Sequence, residues 1–178
     1  MKLSIINLGK GAAIRFGFHH AIGDILLIQD ADLELDPSEY SMLLEPILSG
    51  KAQVVYGSRF LKHNPGVSVI TRLANGFLTG LTNLLFGARL TDMETAYKVF
   101  RREVVDRLWL RCVEFDIEPE ITAKVLQLGY KIHEVPISYT PRRINEGKKY
   151  RSMTGWMRSL RWARTGCFHA RLGSSARR

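Results

Sequence analysis

Cysteine is scarce: two residues in 178, Cys112 and Cys167, far apart and without metal-ligand spacing. That suggests neither a disulfide framework nor a zinc site and fits a reducing, cytosolic setting. No low-complexity linker and no internal repeat interrupts the chain, so one compact unit with a substantial core is expected. No cleavable signal pattern occupies Met1 to Gly11, which predicts a protein kept on the cytosolic side. No run of residues is purely apolar over the length of a membrane span. Val67 to Phe86 comes nearest, but Arg72, Asn75, Asn83, Gly76 and Gly80 interrupt it, so it reads as a buried helix or one on a membrane surface. Acids are almost missing from the tail. From Arg142 onward eleven Lys or Arg face only Glu146, so the tail carries +10 and the preceding residues −1 of the net +9. Such a block suits a polyanion. Strands with interleaved aromatics of the RNA-binding kind are absent, which argues against nucleic acid as the partner.

Two further absences narrow the chemistry. The run "NLGKGAA" lacks a glycine at the required distance before Gly9 and has Gly11 rather than Ser or Thr after Lys10, so it is no NTPase phosphate loop. His19 and His20 have no third ligand at a recognisable spacing and read as surface residues at a helix end.

What is present alternates between helix and strand. Gly11 to Ala21 reads as a helix, "ILLIQ" as a buried strand, Pro37 to Leu48 as a helix with proline in its first turn, and "AQVVYGS" as a strand. Glu118 to Leu128 reads as a helix closed by Gly129, followed by a strand in "KIHEVPISY". This rhythm predicts an α/β fold with a mostly parallel sheet flanked by helices. In Ser152 to Phe168, Trp156, Leu160, Ala163 and Cys167 recur at helical spacing among arginines. That pattern is either an amphipathic helix on an anionic bilayer or a solvated terminal helix.

The strand "ILLIQ" runs into "DADLELDP". In extended backbone Asp30 and Asp32 point the same way and converge on one cation, Mg²⁺ or Mn²⁺ by the hardness of the ligands, or else they solvate the strand end. Glu34 and Asp36 suit the following turn and the positive amino-terminal dipole of the Pro37 helix.

Together, "NLGKGAAIRFGFHHAIGDILLIQDADLELDP", "VVYGSRF", "LTDMETAYKVFRREV", "EPEITAKVLQLGYKIHEVPISY" and "EGKK" resemble the family 2 glycosyltransferases, in the branch of dolichyl- and polyprenyl-phosphate sugar synthases. The resemblance runs from Asn7 to about Trp162. It implies a GT-A, Rossmann-like fold and inverting, metal-assisted transfer of a hexose from a GDP- or UDP-linked sugar to a polyprenyl or dolichyl phosphate. Asp30 and Asp32 match the metal-binding D-x-D. Lys10 and Gln29 fall beside the donor site. Arg59 resembles a basic residue facing the donor or acceptor phosphate, and is otherwise a surface arginine. Asp92 and Glu94 match an acidic segment on the acceptor side, where hydroxyl acceptors need a general base. Arg142, Lys148 and Lys149 resemble a basic loop that holds an acceptor phosphate, and are otherwise a solvated loop.

The family's opening strands and their acidic, nucleoside-gripping loop have no counterpart before Asn7. The resemblance therefore implies a catalytic domain over 1–150 that is N-terminally incomplete, with a basic tail over 151–178. An exposed sheet edge open to self-association is expected. The protein is expected at the cytosolic membrane face, against anionic lipid. Two other readings follow from the same residues: a non-catalytic remnant that keeps the sheet, and a nucleic-acid binder resting only on the tail.

Overall fold

The computed structural model describes residues 8–114 and 116–141. In chain order the elements are α1 (Lys10–His20), β1 (Ile25–Ile28), a 3-10 turn (Pro37–Glu39) leading into α2 (Tyr40–Leu48), β2 (Val54–Ser58), α3 (Val69–Phe86), β3 (Lys98–Arg101), α4 (Arg102–Val105), α5 (Ile117–Gln127) and β4 (Ile132–Pro136).

Alternation along each strand sends side chains to two cores. Leu26 and Ile28 of β1 join Val54, Tyr56 and Phe100 beneath α1, α4 and α5, which contribute Ile14, Val104, Ile117 and Ile121. On the other face Val55 and Val99 pack with Leu43 and Ile47 of α2 and with Val135 and Ile137. Helices therefore cover both faces, and β1, of sequence ILLI, is aliphatic throughout.

The sheet is mixed and mostly antiparallel, not mostly parallel. Its order is β1-β3-β2-β4; β3 runs antiparallel to both β1 and β2, and only β2 and β4 pair in parallel. The strand-helix rhythm misleads because it passes over β3, a four-residue strand with sequence KVFR. Strands β1, β2 and β4 do share one direction, but β3 inserts in reverse between β1 and β2, so these two never pair.

That insertion builds the site's frame. Ile28, Lys98, Tyr56 and Glu134 lie opposite one another across the sheet. The carboxyl ends of β1, β2 and β4 and the amino end of β3 therefore open at one edge. Gly57 makes the close approach there possible: a Cβ at this position would lie 2.7 Å from Ile137 Cγ2 and 3.0 Å from Tyr97 Cβ.

Helix α3 is capped by Ser68, whose hydroxyl accepts from the Thr71 amide at 3.1 Å, and it stops at Gly87 in the left-handed conformation (φ 63°). Among the described residues no helix is long and apolar enough to cross a membrane.

Candidate functional site

The first half of the site begins with two glycines. Gly9 has φ 97°, and a Cβ on Gly9 or Gly11 would fall 2.4 Å from the Val113 carbonyl oxygen or 2.5 Å from that of Cys112. Their bareness lets the start of α1 lie directly on the 112–113 backbone, where the Ala12 amide donates to the Val113 carbonyl at 3.1 Å. Lys10 is thereby fixed between β1 and α5. Its ammonium lies 2.7 Å from Asp30 Oδ1, 2.8 Å from Oδ2 and 2.5 Å from Glu118 Oε1. Burial disfavours the charge, but Glu118 and Asp30 outweigh it and hold Lys10 above its ordinary range.

Past Asp30 the chain turns through Leu33 in a left-handed conformation (φ 61°). Asp32 Oδ1 accepts from the Glu34 amide at 3.2 Å, so the second carboxylate is held by its own loop. Asp36 serves the next turn as expected, accepting from the Ser38 amide at 2.9 Å, a contact that holds its carboxyl below the ordinary range. Glu34 does something else: its Oε2 accepts from the Tyr139 hydroxyl at 2.8 Å. Gln29 lines, with Lys10 and Asp30, an open groove of about 480 Å³ between α1 and β1.

The second half of the site follows β2. Arg59 Nε and Nη2 donate to the two oxygens of Asp92 at 2.7 and 2.8 Å, and the Arg59 amide adds a third bond at 3.1 Å. Asp92 is fully buried and the Arg59 side chain is 13% exposed. Burial opposes the guanidinium charge, but the Asp92 carboxylate more than offsets this and raises its pKa. The guanidinium also stacks 5.5 Å from the Tyr139 ring centre and 5.7 Å from that of Phe60. Tyr139 thus connects the two halves, touching Glu34 through its hydroxyl and Arg59 through its ring.

Behind Asp92 stands Glu134, whose carboxylate accepts from the Thr91 amide at 2.8 Å and the Asp92 amide at 3.0 Å. Burial raises its pKa despite these donors. From the other side α3 holds the same loop: Asn75 Oδ1 accepts from the Glu94 amide at 3.3 Å and Thr79 Oγ1 from the Met93 amide at 3.1 Å. Beneath it Lys98 is buried, donating to the carbonyls of Met93 and Thr95 and lying 4.7 Å from the Tyr56 ring centre. Burial pulls its ammonium down to about 8, against the attraction of Glu118 and helped by the charge of Lys10.

The structure therefore joins Lys10 to Asp30 and Arg59 to Asp92, and sets Asp32 and Glu94 in the same two loops. Arg142, Lys148 and Lys149 lie outside the described residues. Sequence reasoning missed Glu118, Glu134, Tyr139 and Lys98. Only Lys98 left a trace, as a lysine inside an apolar run; the other three act through contacts distant in sequence.

Comparison with known proteins places these features in a family. The model of glycosyl transferase family 2 matches residues 3–109. The chain is 28% identical over 155 residues to the polyprenol monophosphomannose synthase of Mycolicibacterium smegmatis, covering 79% of this chain and 56% of that protein. It is 26% identical over 170 residues to the undecaprenyl-phosphate mannosyltransferase of Micrococcus luteus, covering 86% of this chain and 69% of that one. The chain thus spans about half the length of the first of these relatives. In fold it resembles the glucosyl-3-phosphoglycerate synthase of Mycobacterium tuberculosis, with TM-score 0.69 and 20% identity over 93% of this chain and 57% of that one. A crystal structure of the same synthase with Mn²⁺, UDP-glucose and phosphoglyceric acid matches with TM-score 0.65 and 21% identity, over the same shares of each chain.

Proposed function

The chain belongs to glycosyl transferase family 2, and from that premise we propose that it moves a hexose from a nucleoside-diphosphate sugar to a polyprenyl phosphate with the help of a divalent cation. The observation that carries this reading is the shared edge: the Lys10–Asp30 pair and Asp32 follow β1, and the Arg59–Asp92 pair follows β2 at the same end of the sheet. Ligands of open α/β sheets bind at the carboxyl ends of strands. Relatives named for mannosyl transfer to polyprenyl and undecaprenyl phosphate support the acceptor class. The tuberculosis synthase crystallised with Mn²⁺ and UDP-glucose supports a nucleotide-sugar donor.

Among the described residues no group of three or more His, Cys, Asp or Glu is placed to hold a metal. The donor set still fits Mg²⁺ or Mn²⁺, which take one or two carboxylates and complete their shells with water and substrate phosphates. Asp30 and Asp32 would hold that ion, and when bound it would stabilise the charge developing on the departing nucleoside diphosphate. Lys10, already held beside Asp30, is set to bind a donor phosphate, and Gln29 borders the same groove.

Arg59 is assigned to the facing phosphate. Its guanidinium is oriented by Asp92, whose two oxygens are both engaged by it. Asp92 is on this reading a positioning group rather than a proton acceptor, which suits an acceptor phosphate that is already an anion. Glu94 borders the acceptor side, and Arg142, Lys148 and Lys149 are assigned to the acceptor phosphate. Two unit charges about 4 Å apart at an effective dielectric near 20 repel by roughly 4 kcal/mol, so cations are needed before two phosphates can meet. We further assign the catalytic work to residues 1–150, a membrane-facing role at the cytosolic surface to 151–178, and self-association to β1, an edge strand of the sheet among the described residues.

The test is transfer of labelled sugar from GDP-mannose or UDP-glucose to polyprenyl phosphate with Mn²⁺ or Mg²⁺. The proposal expects transfer that Asp32→Ala and Arg59→Ala abolish. If a chain extended to the length of its relatives transfers nothing, or if Asp32→Ala transfers as well as the parent, the reading fails.

A further inference from the structure

Helix α3 is amphipathic the wrong way round for a helix facing water. The side it buries is largely polar: Asn75, Thr79 and Thr82, with Leu78. Two of these hold the Thr91–Glu94 loop through the bonds described above. The opposite side is apolar and open. Val69 is 72% exposed, Ile70 80%, Leu73 70%, Leu84 81% and Leu85 44%. At 100° per residue these positions fall on one continuous arc. Several large aliphatic side chains in one stripe exceed the scattered exposure normal for a protein surface.

The charge around the stripe has one sign. Between Arg59 and Thr91 the sequence contains three Lys or Arg and no Asp or Glu. Lys62, Arg72 and Arg89 are exposed beside the helix, and the Arg72 guanidinium stacks 5.6 Å from the Phe60 ring centre, next to Arg59. An apolar stripe in a segment whose charged residues are all cations matches a lipid bilayer with anionic headgroups. The helix is too polar on its other side to cross that bilayer and is suited to lie in its surface.

We propose that α3 is a membrane-docking face which seats the protein on an anionic bilayer, with the Val69–Leu84 stripe among the acyl chains and Arg72 at the headgroups. This deepens the functional reading above by naming the surface that brings the site to a lipid acceptor, but it rests on α3 itself. The polar side of the helix holds the Asp92 loop, so the docked surface and the acceptor side of the site are two sides of one helix.

The experiment is co-sedimentation of the full chain with vesicles of phosphatidylcholine alone or mixed with phosphatidylglycerol, without donor or polyprenyl phosphate. The expected result is binding to the anionic vesicles that falls by about tenfold or more in Ile70→Gln/Leu73→Gln/Leu84→Gln, with an unchanged circular dichroism spectrum. Arg72→Glu, a single exposed change, is expected to weaken binding to anionic vesicles and serves if the triple variant folds poorly. Failure of the parent chain to bind overturns the proposal. So does full binding by both variants, which would mean that the basic tail alone holds the membrane or covers the helix. A dimer that the triple variant converts to monomer without loss of vesicle binding would assign the face to a second copy and equally overturn it. Intact docking with no sugar transfer would instead count against the functional reading alone.

Discussion

Replacing Asp92 by alanine isolates what the Arg59–Asp92 pair contributes. Asp92 is fully buried and the Arg59 side chain is 13% exposed, so the change strands a guanidinium that water reaches poorly. It also removes the acceptor of three hydrogen bonds of 2.7, 2.8 and 3.1 Å. Breaking a buried pair from one side costs about 3–5 kcal/mol. Stacking of Arg59 on Tyr139 and Phe60 persists, which places the expectation near the lower end, at about 3 kcal/mol. Asp92→Asn keeps the shape and one acceptor and is expected to cost about 2 kcal/mol, the range for a hydrogen bond to a charged group. Arg59→Met/Asp92→Leu removes both charges and is expected to be less destabilised than Asp92→Ala alone. Urea unfolding followed by circular dichroism measures all three. A loss below about 1 kcal/mol for Asp92→Ala, as for an exposed pair, would refute the claim that the carboxylate holds a buried cation in place.

Lys98 predicts a pH dependence. Its folded value of about 8 lies below the ordinary 10.5, so between these limits the unfolded chain binds more protons and stability rises with pH. Below pH 8 the penalty is fully present, about 3 kcal/mol for a shift of this size. Urea midpoints taken below pH 8 and toward pH 10.5 should rise in the parent and stay flat by comparison in Lys98→Met; parallel profiles would contradict the assignment. Gly57→Ala places a methyl 2.7 Å from Ile137 and is expected to cost about 1–3 kcal/mol by overpacking, read as a lowered thermal midpoint. Ser68→Ala removes the cap of α3 and is expected to cost about 1 kcal/mol; a neutral result in urea unfolding would mean that the helix start is held by packing instead.

The sequence made the local elements legible because their signals are local. Pro37 marks the entry to α2, Gly129 follows α5, and four aliphatics mark β1. The expected bounds of α1, α3 and α5 fall within two residues of those observed. The mostly parallel sheet was not the outcome, because β3 is short, carries Lys98 and Arg101, and gains its identity from pairing with strands distant in sequence. The site divides in the same way. Asp30 and Asp32 stood out because carboxylates crowd the end of a buried strand. Glu118 and Glu134 looked like ordinary helix and strand acids, and only folding sets one against Lys10 and the other behind Asp92. Glu34 illustrates the limit: a turn acid by its neighbours in sequence, it is instead the partner of Tyr139, more than a hundred residues away.

The most direct test of the account is calorimetric titration of the chain with UDP or GDP, with and without Mn²⁺. The account predicts saturable nucleotide binding that requires the metal and is lost in Asp32→Ala. Binding indifferent to Mn²⁺ and to that substitution, or no binding under any condition, would contradict the claim that the edge beyond β1 is a donor diphosphate site.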